Sequence, residues 1–373
     1  MRLLNILLIT LISVQINSQN LTRLNNPIEY KSGMAIQGLY FEIEDPKHNS
    51  ELSEIGCDVY KNKLILISNK ERGFTQTALN PSTHIPNHNV FCADILQHND
   101  LGIPLMFSKI LNSKMNQGGI TFTPDENSIY FTRTKTSESN LYSLYIGKLD
   151  TSEKYYWSDI KPLKINNENY SIETPHIGNT PNVIYFSSNK PGGYGGFDLY
   201  KGTIDNNGEI FNVVNLGNQI NTAGDEKYPY LDEYERYLYF SSNGHNGYGG
   251  YDLFRSSIVE KEFSASKNLG NTINTPANDL AFIFNEPTMG YVSSNEIDTP
   301  NDYNIYKFKQ IGIDQKVVVS VKDIETKLPI VDASIVVKNQ FKDVLITSKA
   351  DSEANTSFIA DLLDDYTIEV NQD

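Results

Sequence analysis

Hydrophobic and polar positions alternate over short segments of this chain, and one such segment is repeated almost letter for letter. Residues 185–200 read YFSSNKPGGYGGFDLY, and residues 239–254 read YFSSNGHNGYGGYDLF, 54 positions later. The stretches on either side of the glycines are rich in aromatic and β-branched residues, which favour strands. The glycines are typical of a turn, because glycine adopts positive φ without steric cost. Each copy therefore predicts a strand, a turn and a second strand.

The same pattern recurs elsewhere in less conserved form. Three further copies lie at residues 64–96, 128–150 and 290–309. A second phrase, LGNQINTAGDE at residues 216–226, returns as LGNTINTPAND at residues 269–279, and each leads into an apolar strand. Four short strands per repeat of roughly 50 residues are the signature of a propeller blade. Five copies predict a five-bladed β-propeller over residues 54–312, or a six-bladed one if residues 20–53 form a degenerate blade.

The fifth copy lacks room for an outer strand, because a different pattern begins soon after Lys309. Residues 36–44, within an N-terminal segment at residues 19–53, alternate as a strand does. We expect that strand to complete the last blade, so that the ring has no unpaired edge.

The two cysteines are predicted to remain unpaired. Cys57 falls on the first strand of blade one and Cys92 on the third. A whole strand separates these two positions, which places them about 9–10 Å apart at ~4.8 Å per strand. A disulfide requires Cα atoms within ~7 Å of each other.

A different pattern begins at residue 316. Two alternating strands flank the turn DIETKLP, and further strands are indicated near Val344, Ser357 and Tyr366. This alternation predicts a small Ig-like or transthyretin-like β-sandwich over residues 316–373. Such a domain commonly has one more strand, so we expect either that the sandwich is incomplete at Asp373 or that its tail is frayed. The expected fold class is all-β.

The first 18 residues have the pattern of a signal peptide. Arg2 provides a short positive region, and residues 3–14 form an apolar core of the usual length. This core is too short to span a bilayer, and no later segment approaches the roughly 18 apolar residues that a span needs. We expect an exported protein with no transmembrane span in its mature chain.

Charge disfavours two classes of partner. The formal net charge is −15. A nucleic-acid-binding protein needs a basic face to displace counterions, and docking on an anionic membrane needs basic clusters. We therefore expect no nucleic acid among the partners.

Few residue patterns indicate chemistry. His84 and His88 are four positions apart, but a proline between them prevents the helix that would bring both to one metal. The glycines at residues 192–196 precede a strand and not the helix of a dinucleotide-binding loop. We expect no catalytic residue, no metal and no cofactor. Asp198 and Asp252, at one place in each copy, are expected to accept hydrogen bonds from the neighbouring turn.

The repeated segment, together with LGNQINT, resembles the PD40 or WD40-like repeat of TolB-like propellers. The chain as a whole resembles exported OmpA-family envelope proteins, including the propeller-bearing periplasmic subunit of the type IX secretion machinery. Its tail, with VKDIETKLPIVDASIVV and YTIEV, is similar to the carboxypeptidase regulatory-like domain of that family. No residues match the OmpA-type domain that grips peptidoglycan, so direct peptidoglycan binding is not implied.

The resemblance implies a non-enzymatic scaffold in the periplasm, associated with the outer membrane. Its partners would be other envelope proteins, within a secretion or envelope-integrity assembly, and its link to the cell wall would be indirect.

One rim of the propeller is a candidate for partner binding. In a four-stranded blade, the loop between strands two and three and the connection to the next blade emerge on the same face. Tyrosine among carboxylates on that face suits protein recognition. The residues expected there are Tyr194, Tyr248, Asp225, Glu226 and Asp279. Two other functions stay open: a module that binds glycan or peptidoglycan fragments through the same tyrosines, and a hydrolase or lyase that uses the central channel.

Overall fold

The computed structural model describes residues 13–15, 38–49, 52–70, 78–79, 81, 84, 86–152, 156–296, 299–312, 315–323 and 325–371. Two compact units divide the chain. One unit is Tyr40–Ile311, and the second comprises Gly312–Asp373 together with the residues before Tyr40. The first two strands along the chain are β1 (Ser13–Gln15) and β2 (Tyr40–Glu44).

The unit Tyr40–Ile311 is built from consecutive antiparallel sheets, each of which is a blade. Blade one consists of β3 (Glu54–Tyr60), β4 (Lys63–Ser68), β5 (Asn89–Asp94) and β6 (Leu105–Met106), with one 3-10 turn at Gln97–Asn99. Blade two consists of β7 (Gln117–Phe122), β8 (Ser128–Thr134), β9 (Tyr142–Asp150) and β10 (Tyr156–Pro162). Blade three consists of β11 (Ile172–His176), β12 (Val183–Ser188), β13 (Asp198–Ile204) and β14 (Ile210–Asn215).

Blade four divides its outer strand into two short pieces that both pair with the third strand. It consists of β15 (Glu226–Leu231), β16 (Tyr237–Ser242), β17 (Asp252–Val259), β18 (Glu262–Phe263) and β19 (Lys267–Asn268). Blade five consists of β20 (Asp279–Glu286), β21 (Met289–Glu296) and β22 (Thr299–Ile311), with β2 as its outer strand.

The five blades form a closed ring. Each first strand contacts the first strand of the next blade, in the cyclic order β3, β7, β11, β15, β20 and back to β3. The all-β fold and the five-bladed form of the predicted propeller are therefore confirmed. Strand β2 pairs antiparallel with β22, from Tyr40 opposite Ile311 to Glu44 opposite Lys307. The last blade thus combines the N-terminal and C-terminal ends of this unit.

The second strand of each blade is buried on both faces, which explains its continuous apolar sequence. In β4, five of the six residues of KLILIS are buried. The corresponding strands β12 and β16 show the same burial in VIYFSS and YLYFSS. A strand packed between two neighbouring blades has no solvent face, so alternation is lost there.

The first strand of every blade has a β-bulge at the equivalent position. The register with the second strand shifts between Gly56 and Asp58, Gln117 and Ile120, Glu173 and His176, Lys227 and Tyr230, and Leu280 and Ile283. Three residues at these bulges adopt left-handed backbone, with φ of 45° at Thr174, 54° at Tyr228 and 55° at Ala281. A bulge bends its strand and redirects side chains, here around the axis of the ring.

Hydrogen bonds near the bulges join each blade to the next all the way around the ring. Five such bonds are Thr121 Oγ1 to Asp58 Oδ2 (2.8 Å), Ile177 N to Thr121 Oγ1 (3.1 Å), Leu231 N to His176 Nε2 (3.0 Å), Tyr230 O–H to Phe284 O (3.0 Å) and Gly56 N to Ser293 Oγ (3.0 Å). The ring is therefore held by directional polar contacts as well as by apolar packing.

The second unit contains two three-stranded sheets. Its strands are β23 (Gln315–Ser320), β24 (Ser334–Asn339), β25 (Val344–Lys349), β26 (Asn355–Ala360) and β27 (Tyr366–Asn371). The sheet orders are β1-β23-β26 and β25-β24-β27. Val319, Ile335, Val337 and Phe358 share one buried core, so the tail is the predicted β-sandwich.

The predicted signal peptide lies almost wholly outside the described residues. Within it, Ser13–Gln15 pair antiparallel with β23. In the part of the chain that the structure describes, no helix combines the length and apolar character needed to cross a membrane.

Candidate functional site

The glycine-rich loop of a blade and the connection to the next blade lie together on one face of the propeller, as the repeat predicts. We call it the loop face and define it by residues 189–197, 216–225, 243–251 and 269–278. In blade three, Gly196 N donates to Gly224 O (2.8 Å) and Glu226 N donates to Phe197 O (2.6 Å). The equivalent bonds of blade four join Gly250 N to Ala277 O (2.7 Å) and Asp279 N to Tyr251 O (2.7 Å). Each glycine-rich loop therefore lies directly against the connection to the next blade.

The repeated aspartates support the turns that precede them, which confirms the structural role predicted for them. The Asp198 carboxylate accepts hydrogen bonds from Tyr194 N (2.6 Å) and Gly195 N (3.1 Å). The Asp252 carboxylate accepts from Tyr248 N (2.7 Å) and Gly249 N (3.2 Å). Both carboxylates are buried. They fix the backbone beneath each loop tyrosine.

The loop glycines are required chiefly by close packing. Of the four glycines in GGYGG, only Gly192 has positive φ, at 91°. A Cβ at Gly195 would lie 2.6 Å from the Ala223 backbone carbon, and one at Gly249 would lie 2.8 Å from that of Pro276. The expectation that these glycines serve positive φ is corrected: Gly195 and Gly196 allow the loop to touch the connection to the next blade, and Gly193 leaves room for the Asp198 carboxylate.

An asparagine braces every blade. In each connection between blades, one asparagine side chain accepts a hydrogen bond from a third-strand N–H and donates one to the C=O of the same residue. The pairs are Asn112 with Val90, Asn166 with Leu144, Asn221 with Leu199, Asn274 with Leu253 and Asn49 with Ile305, all at 2.7–3.1 Å. The asparagine of the repeated INT phrase thus holds the connection to the third strand of the blade that it leaves.

The predicted rim residues divide into two groups. Tyr194 and Tyr248 project from the loop tips, with 53% and 39% of their surface exposed. Asp225 is half-buried, and its carboxylate accepts hydrogen bonds from Phe197 N (2.7 Å) and Tyr251 O–H (2.9 Å). Glu226 and Asp279 are fully buried, so the expectation that they lie on the rim is corrected.

The two buried acids hold the start of a first strand to its own blade. Glu226 accepts hydrogen bonds from Thr222 N (2.9 Å) and Ser242 Oγ (2.7 Å). Asp279 accepts from Thr275 N (2.6 Å) and Ser294 Oγ (2.6 Å). Their positions in the sequence, one residue from a loop, gave no sign of which way the side chain faces.

The pH dependence of stability is expected to reveal Asp279. Burial raises its pKa to about 6, although the bonds from Ser294 and Thr275 lower it. The native state then takes up the proton before the unfolded chain does. Stability should therefore rise as pH falls from 7 towards 4, by up to about 3 kcal/mol for this group. Denaturant midpoints measured across that range test this.

Asp279→Asn provides the control for this slope. Burial also raises the pKa of Asp58 to about 6 and raises the pKa values of Asp232 and Asp252, so the variant is expected to have a smaller slope than the wild type and to keep part of it. An unchanged slope in Asp279→Asn would contradict the assignment.

A second group of residues surrounds the axis of the ring on the loop face. In blades one to four, one ring-bearing side chain stands immediately before or at the start of the third strand, and Tyr303 holds the equivalent position inside β22. All five are half-buried: His88, Tyr142, Phe197, Tyr251 and Tyr303. Asn116 links two of them, accepting a hydrogen bond from His88 N (2.7 Å) and donating to Tyr142 Oη (2.7 Å). We call these five residues, with Glu173, Lys227 and Tyr228, the channel mouth.

The polar side of the channel mouth comes from blades three and four. Lys227 Nζ lies 2.8 Å from Glu173 Oε2 and 3.6 Å from the centre of the Phe197 ring. Both charged side chains are largely buried, with 19% and 17% exposed. Next along β15, Tyr228 is the largest residue at its level of the channel, where the other first strands carry Gly56, Gly119, Thr174 and Ala281. Sequence comparison between blades could have found this group, because each ring residue precedes the apolar–aromatic pair of a third strand.

Below the mouth the channel is narrow. The partly open cavity between the first strands has a volume of about 20 Å³, enough for a single water molecule. Cys57 lines it, and burial raises the pKa of this thiol to about 12. Cys57 and Cys92 are both free, on the first and third strands as predicted. Among the described residues, no group of three or more His, Cys, Asp or Glu side chains is placed to hold a metal ion.

Comparison with known proteins shows distant likeness only. No protein-family model and no curated protein matches the chain. Similar solved structures include a putative TolB from Agrobacterium tumefaciens, at 10% identity over 75% of this chain and 100% of that one, with a TM-score of 0.36. Others are the Bacteroides ovatus protein described as xyloglucan PUL GH43B (11%; 90% and 83%; 0.42) and the soluble aldose sugar dehydrogenase of Escherichia coli (8%; 73% and 100%; 0.41). At these identities and TM-scores the likenesses carry no argument about function, and the propeller assignment rests on the strand pairing.

Proposed function

We propose that this protein is a non-enzymatic interaction scaffold of the cell envelope, exported to the periplasm and associated with the outer membrane. In this proposal it binds another envelope protein on the loop face, within a secretion or envelope-integrity assembly. The N-terminal sequence pattern supports export, and the resemblance to OmpA-family propeller proteins supports the envelope setting. The link to the cell wall is indirect in this proposal.

One observation carries the proposal: the repeated loop side chains hold the loops in place and leave two tyrosines projecting. The carboxylates of Asp198 and Asp252 fix the turns from below. Tyr194 and Tyr248 then stand at equivalent places on neighbouring blades, exposed. Tyrosine on a fixed backbone offers rigid apolar area with a polar tip, which is the composition of protein-binding surfaces.

The small cavity volume and the negative net charge of the chain favour a binding function over catalysis in the channel. A hydrolase or lyase acting in the channel would need room for substrate near converging acid and base groups, and the cavity between the first strands has a volume of about 20 Å³. The net charge of −15 favours a partner with a basic surface, because opposite potentials speed encounter and select partners.

A crosslinked pull-down from envelope fractions tests this proposal. The tagged wild type is compared with Tyr194→Ala/Tyr248→Ala, which we expect to lose at least about tenfold of the captured partner, as for removal of aromatic hot spots. Tyr234→Ala is the matched control, because Tyr234 is 73% exposed and lies in the turn between β15 and β16, at the opposite end of the blade.

The controls separate folding from recognition. Circular dichroism of each variant should match the wild type, since all three tyrosines are exposed. Equal capture by the double variant, or equal loss with Tyr234→Ala, would overturn the loop-face assignment. Absence of any specific partner would overturn the scaffold itself.

A further inference from the structure

The channel mouth has hydrogen-bonding groups that the fold does not use. Within the described residues, the hydroxyl groups of Tyr228 and Tyr303 form no hydrogen bond, and the Tyr142 oxygen accepts one from Asn116 without donating. Among the residues that the structure describes, Lys227 donates to Glu173 alone, which leaves further N–H donors on its ammonium group. Tyr228 lies close enough to Tyr142, Glu173 and Tyr303 for their charges to raise its pKa, after burial.

The same residues offer apolar surface on the other side. Tyr251 and Tyr303 pack against the cluster that includes Ile55, Leu280 and Ala281. The mouth therefore has an aromatic wall from Tyr251 and Tyr303 of blades four and five, backed by these buried aliphatic side chains. Its hydrogen-bonding groups come chiefly from blades two, three and four. A site lined mostly by apolar and aromatic groups, with a few placed polar groups, is the usual form of a small-ligand site.

Electrostatics decides which ligand chemistry fits. A cation would meet Lys227, whose ammonium group already neutralises Glu173 at 2.8 Å. An anion would meet Glu173, Asp225 and the buried Asp279, whose charges raise the pKa of neighbouring tyrosines. A neutral ligand avoids both costs, since no unpaired charge is brought into a half-buried site.

We propose that the channel mouth binds a neutral, hydroxyl-rich sugar residue of an oligosaccharide. Sugar hydroxyls both donate and accept, which matches the unused tyrosine hydroxyls, the Lys227 N–H groups and the free oxygen of Glu173. The C–H face of the sugar ring stacks on the aromatic wall. The narrow channel beneath closes the floor, so the sugar rests in the mouth and does not pass through. This site is separate from the tyrosines of the loop tips and does not depend on the scaffold function.

Calorimetric titration of the full chain with four tetrasaccharides tests the proposal. Chitotetraose and cellotetraose are neutral, the fully deacetylated chitosan tetramer is cationic, and tetragalacturonate is anionic. We expect a neutral tetrasaccharide to bind and both charged ones to bind at least about tenfold more weakly, because each leaves an unpaired charge at the site.

Two conservative variants locate the site. Tyr228→Phe removes one hydroxyl, and Glu173→Gln removes the carboxylate charge beside Lys227; each is expected to weaken binding of the neutral tetrasaccharide about five- to tenfold, the usual effect of one lost hydrogen bond. Tyr248→Phe, on the loop tip, should leave the affinity unchanged. Circular dichroism confirms that each variant is folded.

Three results would overturn the sugar site: no binding of any tetrasaccharide, tighter binding of a charged tetrasaccharide than of either neutral one, or full affinity in Tyr228→Phe. Protein capture in the envelope pull-down is expected to survive Tyr228→Phe. Failure of one proposal is thereby distinguished from failure of the other.

Discussion

Asn221→Ala is expected to lower the free energy of unfolding of the propeller by about 4 kcal/mol. The side chain is buried and makes three hydrogen bonds: it accepts from Leu199 N (2.8 Å) and donates to Leu199 O (3.0 Å) and Asn215 Oδ1 (2.8 Å). Alanine leaves the Leu199 N–H buried without its partner, at about 1–3 kcal/mol, and removes two further hydrogen bonds, at about 1 kcal/mol each. The C=O of Leu199 keeps the bond that it accepts from Leu216 N (3.0 Å). Denaturant unfolding can be followed by fluorescence, because the single tryptophan, Trp157, is buried in blade two.

Two further variants serve as comparisons for Asn221→Ala. Asn274→Ala removes the same brace from the next blade and should cost a similar amount. Asn206→Ala, at an exposed turn between β13 and β14, should change stability by less than about 0.5 kcal/mol. A loss of unfolding free energy under about 1 kcal/mol in both Asn221→Ala and Asn274→Ala would show that other groups form hydrogen bonds with the third-strand backbone in place of the asparagines.

Gly195→Ala is expected to cost about 3 kcal/mol or more. The added Cβ would overlap the backbone of Thr222, Ala223 and Gly224 in the connection to blade four. Backbone cannot give way as the end of a flexible side chain can, so the loops must separate and strain both blades. The change is measured by the same unfolding experiment.

Gly192→Ala and Gly312→Ala calibrate the cost of Gly195→Ala. Gly192 has open space around its Cβ position and φ of 91°, so alanine there should cost about 1–2 kcal/mol through backbone strain alone. Gly312 has open space and no such φ, and its substitution should be nearly neutral. An effect of Gly195→Ala no larger than that of Gly192→Ala would mean that the loop contact is not tight.

The strand pattern was readable because blade packing leaves strong local signals. Apolar second strands and glycine-rich turns occur together in every well-preserved copy, and their spacing specifies a ring. Residues 36–44 could be placed because they alternate as a strand does, and β2 (Tyr40–Glu44) is the outer strand of blade five. These features depend on local residue type and repeat spacing, which a single sequence contains.

The interior roles were harder to predict, because they depend on which way a side chain faces. Glu226 and Asp279 follow directly after loop residues. Each is the first residue of its strand, and its side chain points inward to Ser242 or Ser294. None of the bracing asparagines was predicted from the sequence, and the phrases around Asn49 and Asn166 do not match LGNxINT. Their bracing role is seen only in the hydrogen bonds that they form with Ile305 and Leu144.

The channel mouth was missed for a related reason. Its five ring residues are histidine, phenylalanine and tyrosine, so no single repeated letter marks them, and only an alignment of the third strands shows their common position. Tyr228 reaches the axis through a left-handed backbone conformation at a bulge. Such conformations are uncommon for large residues and follow from crowding between five neighbouring strands.

The pairing of β2 with β22 has a mechanical consequence. The chain enters the propeller at Tyr40 and leaves it at Ile311, and these two residues are directly opposite each other in the sheet. Tension applied between them acts across the hydrogen bonds at one end of the pair and opens the sheet one residue pair at a time, beginning at Tyr40. Because these two ends are adjacent, the propeller is also suited to circular permutation. A short linker would join Tyr40 to Ile311, and new termini could be placed in an exposed turn without breaking the ring.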